Sequence, residues 1–206
     1  MKLRITAVAV GAALVLSGCS VGTKLAGTAV SISGVVVSEK ALTAEVNEVR
    51  SQLESLPTGK VQQIPSLVLL NQMVLNNYIL EHLIAQGIKE QGIVVTDAQV
   101  SAFTQSVFQQ YGQETIEIQI ASQQGVSATR VNDFMRMVVS QQALGQALAP
   151  NGTSDEQTQA LVAYLSDLSR TLNIQVSPRF GSWNPNKIQL DSGDLTLSQP
   201  APVTAQ

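Results

Sequence analysis

The spacing of hydrophobic positions along the chain predicts a mostly helical domain. From residue 39 onward, apolar residues recur every three or four positions, a period typical of amphipathic helices. Glycine, proline and small polar residues interrupt this pattern and divide it into segments. About six helices are predicted in this way, at 39–56, 65–91, 97–111, 114–124, 127–148 and 154–172.

Several of these helix starts carry residues that suit a cap. Ser38 is the predicted N-cap of the first helix, and Pro65 suits the first turn of the second because the N–H that proline lacks has no partner there. Residues 96–99 (Thr-Asp-Ala-Gln) and 154–157 (Ser-Asp-Glu-Gln) each fit a capping box that begins at the first residue. Ser127 is the predicted N-cap of the fifth helix.

Two of the predicted helices carry enough apolar residues to form much of a core. The first helix has one apolar stripe, formed by Leu42, Val46, Val49 and Leu53. The second has a wide apolar arc, which is typical of the central helix of a bundle. One side of this arc consists of Leu67, Leu70, Val74 and Tyr78, and the adjoining side of Val68, Leu75, Ile79 and Leu83.

Short strands are predicted at both ends of the helical region. Residues 28–33 alternate apolar and polar side chains, the pattern of a half-buried strand, and Gly34 separates them from Val35-Val36-Val37. Residues 173–177 alternate in the same way after the last helix. The strand before the helices and the strand after them are able to pair and close the fold, and the sequence leaves open whether they do.

The N-terminus has the features of a lipoprotein signal. A short basic start with Lys2 and Arg4 precedes an apolar run at 5–16, which is too short to span a bilayer as a permanent helix. Leu16-Ser17-Gly18-Cys19 then fits the lipobox, in which small residues enter a peptidase and a thiol carries a diacylglycerol. We therefore predict a signal peptide at 1–18 and a lipidated Cys19, with an ordinary secretory signal or a buried cysteine as the alternative.

This prediction places the protein at the extracytoplasmic face of the cell membrane, or at the outer membrane if the host has two. Residues 19–27 would form a lipidated tether, 28–183 the helical domain and 184–206 a flexible tail rich in small polar residues. The chain holds a single cysteine, so a lipidated Cys19 leaves no thiol for a disulfide.

Charge argues against several classes of partner. The formal net charge is −3 and becomes −5 once Lys2 and Arg4 leave with the signal peptide, while only 13% of the residues are charged. Nucleic-acid binding needs a basic surface, and so does a polybasic grip on anionic lipid. Membrane attachment would then depend on acyl chains at Cys19, and two or more chains give stable anchoring.

Residues for catalysis or metal binding are scarce in this sequence. His82 is the single histidine and lies inside the predicted second helix, at the edge of the core or facing solvent. One histidine and one acylated cysteine leave little basis for a zinc site or a nucleophilic triad. Solvation or the helix dipole accounts for the carboxylate pairs Glu45/Glu48, Glu114/Glu117 and Asp155/Glu156. We predict no catalytic residue, no metal, no cofactor and no enzymatic activity.

A binding function is compatible with the same residues. Methionine and aromatic side chains can line an adaptable apolar groove for unfolded chains, although such residues more often belong to the core. The candidates are Met73, Phe103, Phe108, Tyr111, Phe134, Met135 and Met137. The sequence does not indicate which of them would contact a client, nor the oligomeric state.

Two segments and the order of elements resemble a known family. Residues 92–100 read Gly-Ile-Val-Val-Thr-Asp-Ala-Gln-Val, and residues 176–183 read Val-Ser-Pro-Arg-Phe-Gly-Ser-Trp. Together with the strand, the turn and the long central helix, they resemble the SurA N-terminal-domain family over about 27–183. These domains are the chaperone modules of extracytoplasmic prolyl isomerases. The first turn differs from the family pattern, with Ser33-Gly34 in place of Asn-Gly.

The resemblance implies a chaperone module without an isomerase. Family members that are isomerases insert a parvulin domain before the last helix, whereas here the corresponding join is only residues 149–154. We therefore expect a non-catalytic, membrane-anchored lipoprotein that binds unfolded or extended segments of exported proteins. The alternative is an adaptor or scaffold that binds one envelope partner, and an active isomerase is the less favoured third possibility.

Overall fold

A computed structural model describes residues 26–61 and 63–191 of the chain. Cys19, the predicted signal peptide and most of the predicted tether lie outside the described residues, as do residues 192–206. The six predicted helices are confirmed in the described part. They are α1 (Glu39–Glu54), α2 (Leu67–Glu90), α3 (Asp97–Tyr111), α4 (Gln113–Gln124), α5 (Val131–Leu148) and α6 (Ser154–Thr171). None of them is both long and apolar enough to span a membrane.

The two predicted strands pair, and a third strand joins them. In the described residues the strands are β1 (Thr28–Ile32), β2 (Val35–Ser38), β3 (Ile174–Val176), β4 (Ser182–Asn184) and β5 (Gln189–Asp191). β1 lies between β2 and β3 in an antiparallel sheet, with Val30 opposite both Val37 and Val176. Ala29 and Val30 are both fully buried, so β1 is more buried than a half-buried strand, because it is the central strand and packs on the helices.

α2 is the central helix and contacts α1, α4, α5 and α6. The predicted stripe on α1 is confirmed, since Leu42, Val46, Val49 and Leu53 are buried in the main hydrophobic cluster with the middle of α2. A second, smaller cluster lies where α3, α4 and α5 meet. Its buried members are Val100, Ile120, Val126, Val131 and Met135.

The beginning of α2 departs from the predicted apolar arc. Leu67 and Val68, in the first turn of the helix, are 47% and 49% exposed, while the rest of the arc is largely buried. The helix also begins later than predicted. Ser66 forms the cap, with its hydroxyl accepting the Leu69 N–H at 3.3 Å, so Pro65 precedes the helix instead of lying in its first turn.

The caps predicted at Ser38 and Thr96 are confirmed, including the reciprocal bonds of the Thr96 capping box. The cap of α6 differs by one residue from the prediction. Thr153 is the N-cap and Glu156 completes the box, because a carboxylate accepts a stronger hydrogen bond from the cap N–H than an amide does. Ser154 is therefore the first helical residue.

The fifth helix also begins differently. Residues 128–130 form a 3₁₀ turn before α5, and Ser127 makes no cap bond to the helix backbone. Its hydroxyl lies 2.9 Å from the Thr129 hydroxyl instead. Side chains of α1 bind this turn, which removes the need for a cap at Ser127.

The prediction of a tail from residue 184 is wrong for its first eight residues. Residues 182–191 form the β4–β5 hairpin, in which the Asn184 side-chain amide donates to Asp191 at 2.7 Å. Trp183, Ile188 and Leu190 pack against the main cluster, so burial of these side chains stabilises the hairpin. The sequence reading overlooked this apolar content among the small polar residues.

Candidate functional site

An apolar groove of about 250 Å³ lies between α3, α4 and α5. We call it the α3–α4–α5 groove. Its aliphatic, aromatic and methionine side chains form the floor and walls, and three glutamines complete the lining. The lining residues are Phe103, Val107, Ile116, Gln119, Ile120, Gln123, Gln124, Phe134, Met135 and Val138.

The wall formed by α3 is held to α5 by polar contacts at its N-terminus. Arg136 of α5 forms an ion pair with Asp97 and donates to the Val95 carbonyl at 3.5 Å. Val100, one turn into α3, is fully buried in the second cluster. The capping box therefore begins α3 beside residues of α5, and the contacts with α5 fix the direction of α3.

The wall formed by α4 is fixed at its C-terminal end to α2. The Asn77 side-chain amide donates to the Gln124 carbonyl, which would otherwise have no partner in the helix. Gly125 follows with φ +66°, and a Cβ there would lie 2.9 Å from the Met73 Cβ. A glycine is thus needed both for the left-handed conformation and for the close approach of the two helices.

The chemistry of the groove suits side chains of a polypeptide rather than a cofactor. Its volume is below the roughly 300–1,000 Å³ of typical small-molecule sites. Every lining residue is uncharged, so an entering apolar side chain need not displace the water around an ion. Gln119 and Gln123 present amides that can donate to and accept from peptide groups beside that side chain.

The structure brings together three of the seven methionine and aromatic candidates. Phe103, Phe134 and Met135 line the groove. Met137 is buried in the main cluster, and Met73 contacts a different hollow between α2 and α4. The other two candidates lie outside the groove lining: Phe108 packs against the second cluster and Tyr111 is exposed.

The sequence reasoning missed the contribution of α4. Ile116 and Ile120 are four residues apart, as are Gln119 and Gln123, so each pair shares one face of the helix. An isoleucine face beside a glutamine face was the available signal. These isoleucines and glutamines were not among the predicted candidates, which were all methionine or aromatic residues.

The carboxylates singled out from the sequence have structural partners. Glu114 pairs with Lys60 at 3.1 Å, and Glu117 accepts from the Gln113 amide at 2.7 Å. Glu156 belongs to the cap of α6, and its pKa is lowered by hydrogen bonds from the backbone and hydroxyl of Thr153. These contacts account for the three carboxylates without acid–base chemistry.

Glu45 differs from its predicted position on a solvated face. It is 7% exposed, and its carboxylate accepts the Ser127 N–H at 3.3 Å. Glu48 and Gln52, on the same face of α1, accept from the Thr129 hydroxyl at 2.7 Å and the Ala128 N–H at 2.9 Å. Burial of Glu45 thus has a physical reason, because the turn before α5 has N–H groups that need acceptors.

Arg130 secures the same turn to α2. Its guanidinium donates to Glu81 at 2.5 Å and lies 4.4 Å from the centre of the Tyr78 ring. Burial raises the pKa of Glu81, and the Arg130 charge opposes this rise. His82, the next residue, has its pKa lowered by burial. Across residues 26–61 and 63–191, no group of three or more His, Cys, Asp or Glu residues could hold a metal ion.

Comparison with known protein families gives a match over the N-terminal two thirds of the chain. A family model described as SurA-like N-terminal domain matches residues 2–135, which is more than half of the chain. The matched range contains every lining residue of the α3–α4–α5 groove except Val138. No curated protein and no solved structure matches the chain.

Proposed function

Because the chain belongs to the SurA-like N-terminal domain family, a family of chaperone-like modules, we propose that it binds unfolded or extended segments of exported polypeptides. The α3–α4–α5 groove is the site that we assign to these segments. The single observation that carries this assignment is the combination of an apolar floor with an uncharged amide rim.

Such a groove suits broad recognition. An extended client shares its backbone amides and its large apolar side chains with every other unfolded chain. The floor of the groove buries one such side chain, and the glutamine amides bond to the adjoining peptide groups. Because no charge contributes, selectivity among clients is low, as a chaperone requires.

Membrane attachment through Cys19 is the second part of the proposal. The pattern at residues 16–19 supports it. Residue 26, the first described one, lies seven positions after Cys19, so a fully extended connection spans about 25 Å. The domain would then remain close to the bilayer on its extracytoplasmic face, where exported chains emerge.

The third part is that the module acts without catalysis. His82 lies on α2, away from the groove lining, and the carboxylates described above are engaged in caps, ion pairs and the turn before α5. Binding alone, by shielding apolar side chains of a client, is sufficient for a chaperone that prevents aggregation.

The test is suppression of aggregation of an unfolded reporter protein by the chain lacking residues 1–19. Val107→Gln places a polar side chain in the groove, and Val162→Gln, on the outer face of α6, is the matched control at a residue 46% exposed. We expect the control to slow aggregation like the parent and Val107→Gln to lose most of the effect. Equal activity in both variants, or none in the parent, would contradict the proposal.

Two further outcomes separate this function from the alternatives. Affinity purification from the host should return many weakly bound clients, whereas one stoichiometric partner would favour a dedicated adaptor. A proline-limited refolding assay should show no acceleration. A clear acceleration would contradict the non-catalytic part of the proposal.

A further inference from the structure

A second apolar surface lies outside the α3–α4–α5 groove, at the start of α2. Ile64, Leu67, Val68 and Leu69 are 36%, 47%, 49% and 47% exposed. We call these four residues the α2 N-terminal surface. Contiguous exposed apolar residues of this kind mark places where another polypeptide segment binds.

The described chain ends beside this surface. The β4–β5 hairpin contacts α6 at the turn between its strands, where Arg170 donates to Asn186. It then crosses to α2, where the Leu190 N–H donates to the Asn76 side chain at 3.2 Å. Gln189 and Leu190 line a hollow of about 240 Å³, and Leu69 lines the same hollow.

The residues after Asp191 can reach the surface with length to spare. Asn76 and Leu69 are seven helical residues apart, or about 10 Å along the axis. Four extended residues span about 13 Å, so Leu195 lies within reach of Leu69. Leu195 and Leu197 alternate with Thr196 and Ser198. An extended segment therefore places both leucines on one side.

Charge also suits this segment. Residues 192–206 contain one charged residue, Asp194, and the α2 N-terminal surface consists of aliphatic side chains. Placing Leu195 and Leu197 on that surface buries apolar area without removing an ion from water.

We infer that residues 195–198 bind across the α2 N-terminal surface of the same chain. This contact covers the exposed start of α2. Neither the contact nor its test depends on a client, so it stands or fails separately from the proposed function.

Disulfide cross-linking tests the contact in the full chain. With Cys19→Ser, two introduced cysteines are the only thiols. The test pair is Val68→Cys with Leu197→Cys, and the control pair is Val162→Cys with Leu197→Cys. Val68 and Val162 are similarly exposed, at 49% and 46%, so the two pairs differ in location and not in access.

We expect the test pair to form its intrachain disulfide at least about tenfold faster than the control pair, because docking holds the thiols within bonding distance. Equal rates for the two pairs would overturn the inference. So would a disulfide between two chains, which would assign the surface to a second copy.

Truncation after Asp191 gives a second readout. Every cluster member in the described part of the chain precedes Asp191, so the shortened chain keeps all of these core residues. It should bind an apolar fluorescent dye more strongly than the full chain does, and Val68→Gln should reduce that increase. Unchanged dye binding after truncation would also overturn the inference.

Discussion

The close approach of α4 to α2 at Gly125 predicts that an alanine there is destabilising for two reasons, backbone conformation and steric crowding, which can be measured separately. Gly125→Ala places a side chain on a residue with φ +66°, and its Cβ would lie 2.9 Å from the Met73 Cβ and 3.3 Å from the Val74 nitrogen. The left-handed conformation costs about 1–2 kcal/mol for a residue with a Cβ. Crowding against a packed helix costs about 1–3 kcal/mol more.

Gly92→Ala is the matched control for the first cost alone. Gly92 follows α2 with φ +64°, and a Cβ there has no heavy atom within 4 Å. The Gly92 N–H donates to the Lys89 carbonyl at 3.2 Å, and the Ile93 N–H donates to the Ile88 carbonyl at 3.0 Å. These two bonds close the end of the helix. We therefore expect a loss of about 1–2 kcal/mol for Gly92→Ala and about 2–5 kcal/mol for Gly125→Ala.

Urea denaturation followed by circular dichroism measures both free energies of unfolding under one set of conditions. The slope with denaturant should stay unchanged in both variants, so that the midpoint alone reports the stability difference. If the two variants lose the same free energy, α4 does not approach α2 as closely as described. Gly125 would then not hold the α4 wall of the groove against α2.

Two other predictions concern the cap of α6 and the half-buried ion pair between Arg130 and Glu81. Thr153→Ala should lower the free energy of unfolding by about 1 kcal/mol, while Ser154→Ala should leave it nearly unchanged. Thermal unfolding measures both effects. A larger loss for Ser154→Ala than for Thr153→Ala would show that Ser154 is the cap. Burial raises the pKa of Glu81, so the folded protein holds this proton to a higher pH than the unfolded chain does. The free energy of unfolding should therefore fall as pH rises from the ordinary glutamate pKa to the raised one. Glu81→Gln should remove that fall. If the free energy of unfolding of the wild type instead rises with pH more steeply than that of the variant over this range, the assignment is contradicted.

Local signals in the sequence predicted the helices well. The helix period identified all six, and the cap at Thr96 lies where its capping box places it. These features depend on residues within a few positions of one another, so a single chain segment contains the information. The α1 stripe is of the same kind, since its four residues follow one helix face.

Several departures from prediction depend on contacts between distant segments. Glu45 is buried because a turn 82 residues later supplies an N–H donor, and no local pattern shows this. Leu67 and Val68 fit the apolar arc, yet they are about half exposed, whereas Leu70 in the same arc is fully buried. The period of a helix shows which residues share a face but not how far another helix covers that face.

The residues that line the groove could likewise be predicted only in part from the sequence. Phe103, Phe134 and Met135 could be named from residue type, while Ile116 and Gln119 enter the site because Gly125 and Asn77 position α4. In contrast, the choice of Thr153 over Ser154 as the N-cap could have been predicted from the local sequence. Glu156 is a better partner for the cap N–H than Gln157, because its carboxylate is charged.

A titration followed by NMR tests the central claim most directly. An isotope-labelled chain lacking residues 1–19 would be mixed with an unfolded, apolar reporter polypeptide, and the side-chain amide signals of its glutamines would be followed. The account predicts saturable shifts for Gln119 and Gln123, at the rim of the groove, and none for Gln159 on the outer face of α6. Shifts of equal size at all three residues, or no shift at Gln119 and Gln123, would contradict the claim that the α3–α4–α5 groove binds clients.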